Sequence, residues 1–383
     1  SEGVNMTEEL RFNVKDIPLC AKYGFSARKI WIYFKTLVLS WAIWDVFIYL
    51  GFYAAGYDMA ARWEQSRLFP LPGALFLKDV IPVAFLIIAV ILILYVLIRG
   101  GLKVSRMTFQ QIRGDNFFSG ADASRFARGN SAPLIAIPVL LVFVILLAMA
   151  AGAAAGVLSR IPVAGPILTA LLSVPLWGVM LLAVLTAMAL VLSFQLLPSI
   201  IATTGGDTFE SVFELFSTMT SQSWRVFLYW ILSLIIMLLG GITFLLFASL
   251  AVDLLSFSVA LGAGSAGFGA ALASGPRLLA PEALPFFSGL TTFGQQNSIQ
   301  AWTGISGVIA GLSGTAIFLV VVSYLFSCCS SSWTLIYLAL RYRKDGVDLV
   351  DRADQEEQRE FDRLYGNNNI EKKPSGSIAN SED

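Results

Sequence analysis

The chain alternates between long apolar segments and shorter polar segments, and this pattern predicts helices that cross a membrane. A bilayer core about 30 Å thick is crossed by a helix of roughly 20 apolar residues, and six segments reach that length. The predicted spans are residues 30–56, 79–99, 133–157, 167–198, 226–256 and 303–341. They would form one transmembrane domain over 30–341, between an N-terminal segment, 1–29, and a charged tail, 342–383. The predicted fold class is an all-α membrane protein.

Lysine and arginine are distributed unevenly between the segments that connect these spans. If the N-terminus is inside, the inner segments contain 20 of these residues and the outer segments contain 5. Because Lys and Arg are enriched in cytoplasmic loops, we expect a multi-pass protein of the bacterial inner membrane with both termini in the cytoplasm. The composition agrees, since 56% of the residues are apolar and the mean hydropathy is +0.73. The zero formal net charge argues against nucleic acid as a partner.

A short motif recurs in two of the inner segments, 92 residues apart. Asp115 and Phe117 of the first copy, Gly-Asp-Asn-Phe, align with Asp207 and Phe209 of the second copy, Gly-Asp-Thr-Phe. Each copy lies between two predicted spans. The match suggests a duplicated hairpin, made of a span, a short amphipathic cytoplasmic helix and the next span.

The second copy predicts the better helix, which we call the interface helix, residues 207–221. Asp207 can cap its N-terminus, and Glu210 three residues later completes a capping box. Phe209, Val212, Phe213, Phe216 and Met219 recur at helical spacing on one face. The opposite face carries Glu210, Ser211, Glu214, Thr218 and Ser221. Such a helix lies in the membrane interface or beneath the bundle, where it either seals the hairpins or serves as a docking element.

Three arginines surround the first copy, and they suit the phosphates of lipid head groups. These candidate contacts are Arg113, Arg125 and Arg128. Gly120 weakens the helix of this copy, because glycine has a low helix propensity.

The two motif copies, the Trp224-Arg225 pair and the ending WTLIYLALRYRKDGVDL resemble a broad group of uncharacterised bacterial polytopic membrane proteins. That group is similar to the membrane domain attached to some glycerophosphoryl diester phosphodiesterases. The resemblance covers roughly residues 15–350 and implies a polytopic membrane domain. The phosphodiesterase barrel is absent from this sequence, so the resemblance does not imply that activity, and it defines no functional residues.

Charged residues are rare within the predicted spans, and each is therefore a candidate for function. Lys35 lies near the inner end of the first span and can reach the lipid phosphates. Asp45 lies deeper in the same span, where it would make a polar contact to a neighbouring helix or form a proton or cation site.

Glycines at four-residue spacing mark two spans as candidates for close helix packing. They are Gly152 and Gly156 in the third span, and Gly307 and Gly311 in the sixth. The outer loop 257–302 is rich in Gly, Ala and Pro. It is either flexible or folded back against the membrane face.

The sequence offers little catalytic chemistry. It has no histidine and three cysteines, and it lacks a Walker loop, a Cys-x-x-Cys pair and an HExxH motif. We therefore expect no catalytic site, no metal site and no cofactor. Lipids should bind, and the aromatic first span is also compatible with a bound pigment or quinone. The expected partners are the lipid bilayer and other membrane protein subunits. The favoured function is a structural or accessory subunit of a membrane complex, and the alternative is a transporter or channel.

Overall fold

The computed structural model describes residues 16–73, 76, 78–205, 207–263, 268, 305–346 and 348–351. Within these residues the secondary structure is helical, with no strand. The helices are α1 (Leu19–Gly24), α2 (Ala27–Ala54), α3 (Met59–Ser66), α4 (Val80–Ile112), α5 (Gly120–Gly129), α6 (Ala132–Leu158), α7 (Ala164–Leu171), α8 (Ser173–Thr204), α9 (Thr208–Ala263) and α10 (Ile305–Asp345). Six of them, α2, α4, α6, α8, α9 and α10, are long and apolar enough to cross a membrane. The protein is an all-α membrane protein, as predicted.

Several helices continue beyond the predicted spans. The second span was predicted to end at residue 99, but α4 continues to Ile112, because its last turns are buried against the other helices instead of ending in solvent. The fourth span, 167–198, is divided between α7 and α8. Helix α9 joins the interface helix to the fifth span, with a break at Gln222, where φ is −140° and ψ is 33°.

Three other predicted boundaries also change. Helix α2 begins at Ala27, so the last residues of the N-terminal segment 1–29 belong to the bundle. Residues 257–263 of the predicted outer loop are the end of α9, and the rest of that loop, except Phe268, lies outside the described residues. Helix α10 extends into the predicted tail as far as Asp345, whereas 352–383 lie outside the described residues.

The packed core lies mainly towards one end of the bundle. We call this the basic end; it is the end where α2 begins and where α4, α8 and α10 finish. The buried side chains of α4 are concentrated between Ile98 and Gln110, and those of α8 between Ser193 and Thr203. Most of those of α10 lie between Val321 and Leu340, with Ala310 nearer its start as an exception. The basic end is the end that the distribution of Lys and Arg predicts to be cytoplasmic.

At the opposite end, the segment that follows α3 folds back along α2. The indole N–H of Trp41 donates to the carbonyl of Leu68 at 2.6 Å, and that of Trp44 donates to the carbonyl of Pro70 at 2.9 Å. Trp41 lies 14 residues into α2, about 21 Å along its axis. The two tryptophans on the aromatic side of this span thus contact the chain's own loop. The contacts also satisfy loop carbonyls, which need hydrogen-bond partners wherever water is absent.

Candidate functional site

A polar network at the basic end joins helices that are otherwise apolar, and Lys29 is at its centre. The side chain of Lys29 is only 1% exposed. Its ammonium group donates to the carbonyl of Tyr23, to Oγ1 of Thr108 and to Oε1 of Gln111, each at 2.9 Å. All three acceptors are neutral oxygens, so the hydrogen bonds are satisfied without a carboxylate.

Serines in the inner half of α10 extend this network to α1, α2 and α4. Ser327 donates to the carbonyl of Gly24 at 2.8 Å, and Ser331 Oγ lies 3.0 Å from Oγ1 of Thr108. Ser330 Oγ forms a hydrogen bond with the hydroxyl of Tyr33. These contacts are the interhelical hydrogen bonds expected where spans pack through small polar residues.

Two cysteines lie close together where α1 contacts α10. Cys20 and Cys328 are fully buried, and their sulfur atoms are 3.8 Å apart. Both are free thiols, as is Cys329, whose sulfur lies 3.2 Å from Oε1 of Gln195 in α8. The three cysteines therefore contribute to helix packing. In the described part of the chain, no group of three Cys, Asp or Glu side chains is placed to hold a metal ion.

A second cluster of charges joins the interface helix to the end of α10. Glu214 forms an ion pair with Arg341, and its carboxylate lies 3.5 Å from Nζ of Lys344. Arg341 also contacts Asp345 at 3.0 Å. Thr218 donates to Glu214 at 3.3 Å, one turn further along the helix. Because Glu214 is buried, this network fixes the orientation of the interface helix against the bundle.

The middle of the interface helix therefore turns part of its polar face towards the protein. Ser211, Glu214 and Thr218 were expected to face away from the apolar side, and they are buried against the bundle. Phe209 and Phe213 are 86% and 67% exposed, on the outer side. The physical reason is that the surrounding medium at a membrane boundary is itself apolar, so aromatic side chains lose little by facing outwards. Asp207 precedes the helix, and its carbonyl accepts a hydrogen bond from the amide of Ser211 at 3.0 Å.

Other predicted residues of the interface helix differ in burial. On the apolar face, Phe216 is half-buried and packs on the core, and Met219 is buried in it. On the polar face, Glu210 and Ser221 are exposed. The two motif copies differ locally, because α9 begins directly after Asp207, whereas Asp115 precedes a loop and α5 begins only at Gly120. Both copies nevertheless expose their motif phenylalanine to the same extent, since Phe117 is also 86% exposed.

Two of the three arginines proposed to contact lipid phosphates are exposed at the basic end. Arg125 and Arg128 lie on the surface of α5. Arg113 is half-buried, and its guanidinium donates to Oε1 of Gln110 at 3.1 Å. A fourth arginine, Arg106, was not predicted as a contact residue. It donates to the carbonyl of Ala202 at 2.7 Å and so joins α4 to the last turn of α8.

Asp45 lies outside the polar network, in the other half of α2. Its side chain is half-buried, and its Oδ1 atom is buried without a hydrogen-bond partner among the described residues. The structure does not bring Asp45 together with Lys29, since 16 residues of α2, about 24 Å of helix, separate them. The exposed side chain of Lys35 lies over the ring of Trp31, 5.4 Å from its centroid.

The four glycines predicted to support helix packing have different surroundings. A Cβ atom at Gly152 would lie 2.7 Å from Cε of Met180, so α6 and α8 approach closely there. A Cβ atom at Gly156 would meet nothing within 4 Å. Gly311 is buried in α10 beside Ala310, which packs near Val252 of α9. Gly307 belongs to the first turns of α10.

Lys29 was not predicted as a site residue, because Lys29 adjoins Arg28 at a polar boundary, where basic residues usually face water. A second signal was available in the segment Ser-Cys-Cys-Ser-Ser-Ser, residues 327–332, which places four serines within an apolar span. Such a run predicts hydrogen bonds to neighbouring helices. Together with Lys29 at the start of the first span, it indicates a polar network between these helices.

A scan against protein-family models and searches of curated proteins and of solved structures find no significant match to this chain. The resemblance to membrane domains linked to glycerophosphoryl diester phosphodiesterases therefore stays a prediction.

Proposed function

We propose that this chain is a non-catalytic, multi-pass protein of the bacterial inner membrane that packs as an accessory subunit beside other membrane proteins. The observation that carries the proposal is a surface of small residues on α6, at the end away from the basic end. The exposed members are Ala150, Ala151, Ala153, Ala154 and Gly156. Small residues let a second helix approach closely, and close packing is a main source of helix association in membranes.

The polar groups of the bundle support a structural role. The ammonium of Lys29 and the hydroxyls of Thr108 and Ser331 are engaged in contacts between helices. Glu214 is likewise engaged with basic residues of α10. These groups hold the helices of the chain together, which suits a scaffold.

The first experiment is extraction from native membranes in mild detergent, followed by measurement of the native mass. We expect an assembly much larger than 41.6 kDa, with unrelated subunits in a fixed ratio. A monomer or a homodimer as the only species would contradict the proposal.

A substitution on α6 tests whether the small-residue surface makes the contact. Gly156→Leu should release the partner while leaving the fold intact, because Gly156 is exposed and a Cβ atom at this position would meet nothing within 4 Å. The matched control is Ile135→Trp, which adds bulk at an exposed position near the other end of the same helix, about 31 Å from Gly156. An assembly that survives Gly156→Leu would show that another surface binds the partner.

The alternative function is a transporter or channel for a small or lipidic solute, and one observation favours it. Asp45 places a carboxylate oxygen inside a span without a hydrogen-bond partner among the described residues, and such groups often belong to ion or proton pathways. Uptake assays in proteoliposomes that compare the parent chain with Asp45→Asn test this function. Transport that depends on Asp45 would favour it over the accessory role.

A further inference from the structure

A cavity of about 280 Å³ opens at the basic end of the bundle. It lies between the start of α2, the end of α4 and the loop of the first motif copy. Arg28, Lys29 and Gln111 contribute polar walls, and Met107 and Phe118 contribute apolar walls. Pockets for drug-sized ligands begin at roughly 300 Å³, so this volume suits a smaller chemical group.

The electrostatics of the cavity favour an anion. Lys29 is buried beside it, and none of the ion pairs between described residues involves this lysine. Its neutral acceptors satisfy its hydrogen bonds, but they leave its positive charge uncompensated. A buried charge is costly unless an opposite charge lies nearby. An anion in the adjoining cavity would supply that charge, and its attraction to Lys29 would be stronger there than between the same charges in water.

The start of α2 adds hydrogen-bond donors to the same wall. Ser26 provides no side-chain cap, and the first helical hydrogen bond runs from the amide of Ile30 to the carbonyl of Ser26. The amides of Ala27, Arg28 and Lys29 thus have no partner within the helix. Free amides at the positive end of a long helix are suited to phosphate oxygens.

Asp115 is the acidic member of the cavity wall. Its Oδ1 atom accepts a hydrogen bond from the amide of Phe117 at 3.0 Å, so the carboxylate is held by its own loop. Against this single negative charge stand Arg28, Lys29 and the helix terminus. The net charge of the cavity wall is therefore positive. Neutralising Asp115 should make it more positive and strengthen the binding of an anion.

We propose that this cavity binds a phosphate group, carried by the head group of an anionic phospholipid. The lipid is favoured as the source because the cavity lies at the end of two spans and has Met107 and Phe118 in its wall. Dissolved phosphate shares the same chemistry, and the experiment distinguishes the two. This inference does not depend on the proposed accessory role.

The test is native mass spectrometry of the purified, delipidated full chain, titrated with phosphatidylglycerol or phosphatidylcholine. We expect the first to bind more tightly. Arg28→Gln should weaken its binding about three- to tenfold, the effect of removing one partly exposed charge. Because Arg28 is exposed, its replacement should not unfold the chain. Asp115→Asn should strengthen binding by a similar factor while keeping the oxygen that accepts from Phe117.

Arg343→Gln is the matched control, since it removes one exposed positive charge at the same end, in the last turn of α10, but outside the cavity wall. Phosphatidylglycerol binding should be unchanged in this variant. Displacement of the lipid by millimolar inorganic phosphate would support the site and show that dissolved phosphate also enters it. Equal binding of both lipids, or equal losses in Arg28→Gln and Arg343→Gln, would overturn the proposal, because binding would then reflect only general surface charge.

Discussion

At the scale of single residues, one glycine sets how closely α1 approaches α10. A Cβ atom on Gly24 would lie 2.7 Å from Cα of Cys328 and 2.9 Å from its amide nitrogen. These are backbone atoms, which cannot move aside without shifting a whole helix. At Gly152 the corresponding contact is Cε of Met180, the end of a flexible side chain.

Gly24→Ala should therefore destabilise the protein by about 1–3 kcal/mol, the usual range for overpacking. Gly152→Ala should cost less, because Met180 can adopt another rotamer. Thermal unfolding of the two variants in the same detergent provides the comparison. Equal losses of stability would mean that α1 is not held as tightly against α10 as the structure indicates.

Glu214 is the acidic partner on which two basic residues of α10 converge. Glu214→Leu should cost about 3 kcal/mol, because Arg341 and Lys344 would be left close together without it. The double variant Glu214→Leu, Arg341→Met should lose less stability than the sum of the two single variants, since each single variant already breaks the same ion pair. Thermal unfolding of both single variants and the double variant forms a double-mutant cycle. Strictly additive losses would contradict the ion pair.

At the scale of elements, the interface helix buries side chains from both of its faces and exposes the first two phenylalanines of its apolar face. Leu215 is fully buried, whereas Phe213 is 67% exposed although it belongs to the more apolar face. Leu215→Ala should lower the free energy of unfolding by about 2–4 kcal/mol, and Phe213→Ala by less than about 1 kcal/mol. Denaturation of the two variants in detergent checks the order, and the opposite order would mean that the aromatic face points into the protein.

The contact between α1 and α10 can be tested by oxidation. The sulfur atoms of Cys20 and Cys328 are 3.8 Å apart, and a small rearrangement would bring them to the bonding distance of about 2.0 Å. We expect diamide to produce an intramolecular disulfide between these two residues, detected by peptide mass spectrometry without reduction. Cys329→Ser should leave this product unchanged and Cys20→Ser should abolish it. A disulfide-linked peptide that contains Cys329 would contradict the arrangement.

The spans were predictable because hydropathy reports the length of helix that faces lipid. The ends of the spans were less predictable. Helix α4 continues for several turns beyond its predicted end, through residues that are less apolar but buried in the bundle. The polar network was hidden for a related reason. Whether Lys29 and Glu214 face water or protein depends on which helices become neighbours, and hydrophobic periodicity carries no information about that choice.

At the scale of the whole molecule, the basic end and the opposite end should lie on different sides of the membrane. Arg125 is exposed on α5 at the basic end, and Arg160 is exposed between α6 and α7 at the other end. In a variant without native cysteines, Arg160→Cys should react with an impermeant maleimide on the outer face of spheroplasts. Arg125→Cys should react only in inverted membrane vesicles. The reverse pattern would place the termini outside.

The concentration of the core at one end also has a mechanical consequence. The buried hydrogen bonds of Lys29 and the ion pairs of Glu214 clamp the helices at the basic end, whereas α6 and α9 expose most of their side chains towards the other end. Spans adjust to bilayer thickness by changing their tilt, and here the free halves have room to do so. We therefore expect a thicker or thinner membrane to change the tilt of the helices, and with it the spacing between their outer halves. The helices should pivot at the basic end, so the shape of the cavity beside Lys29 should not change.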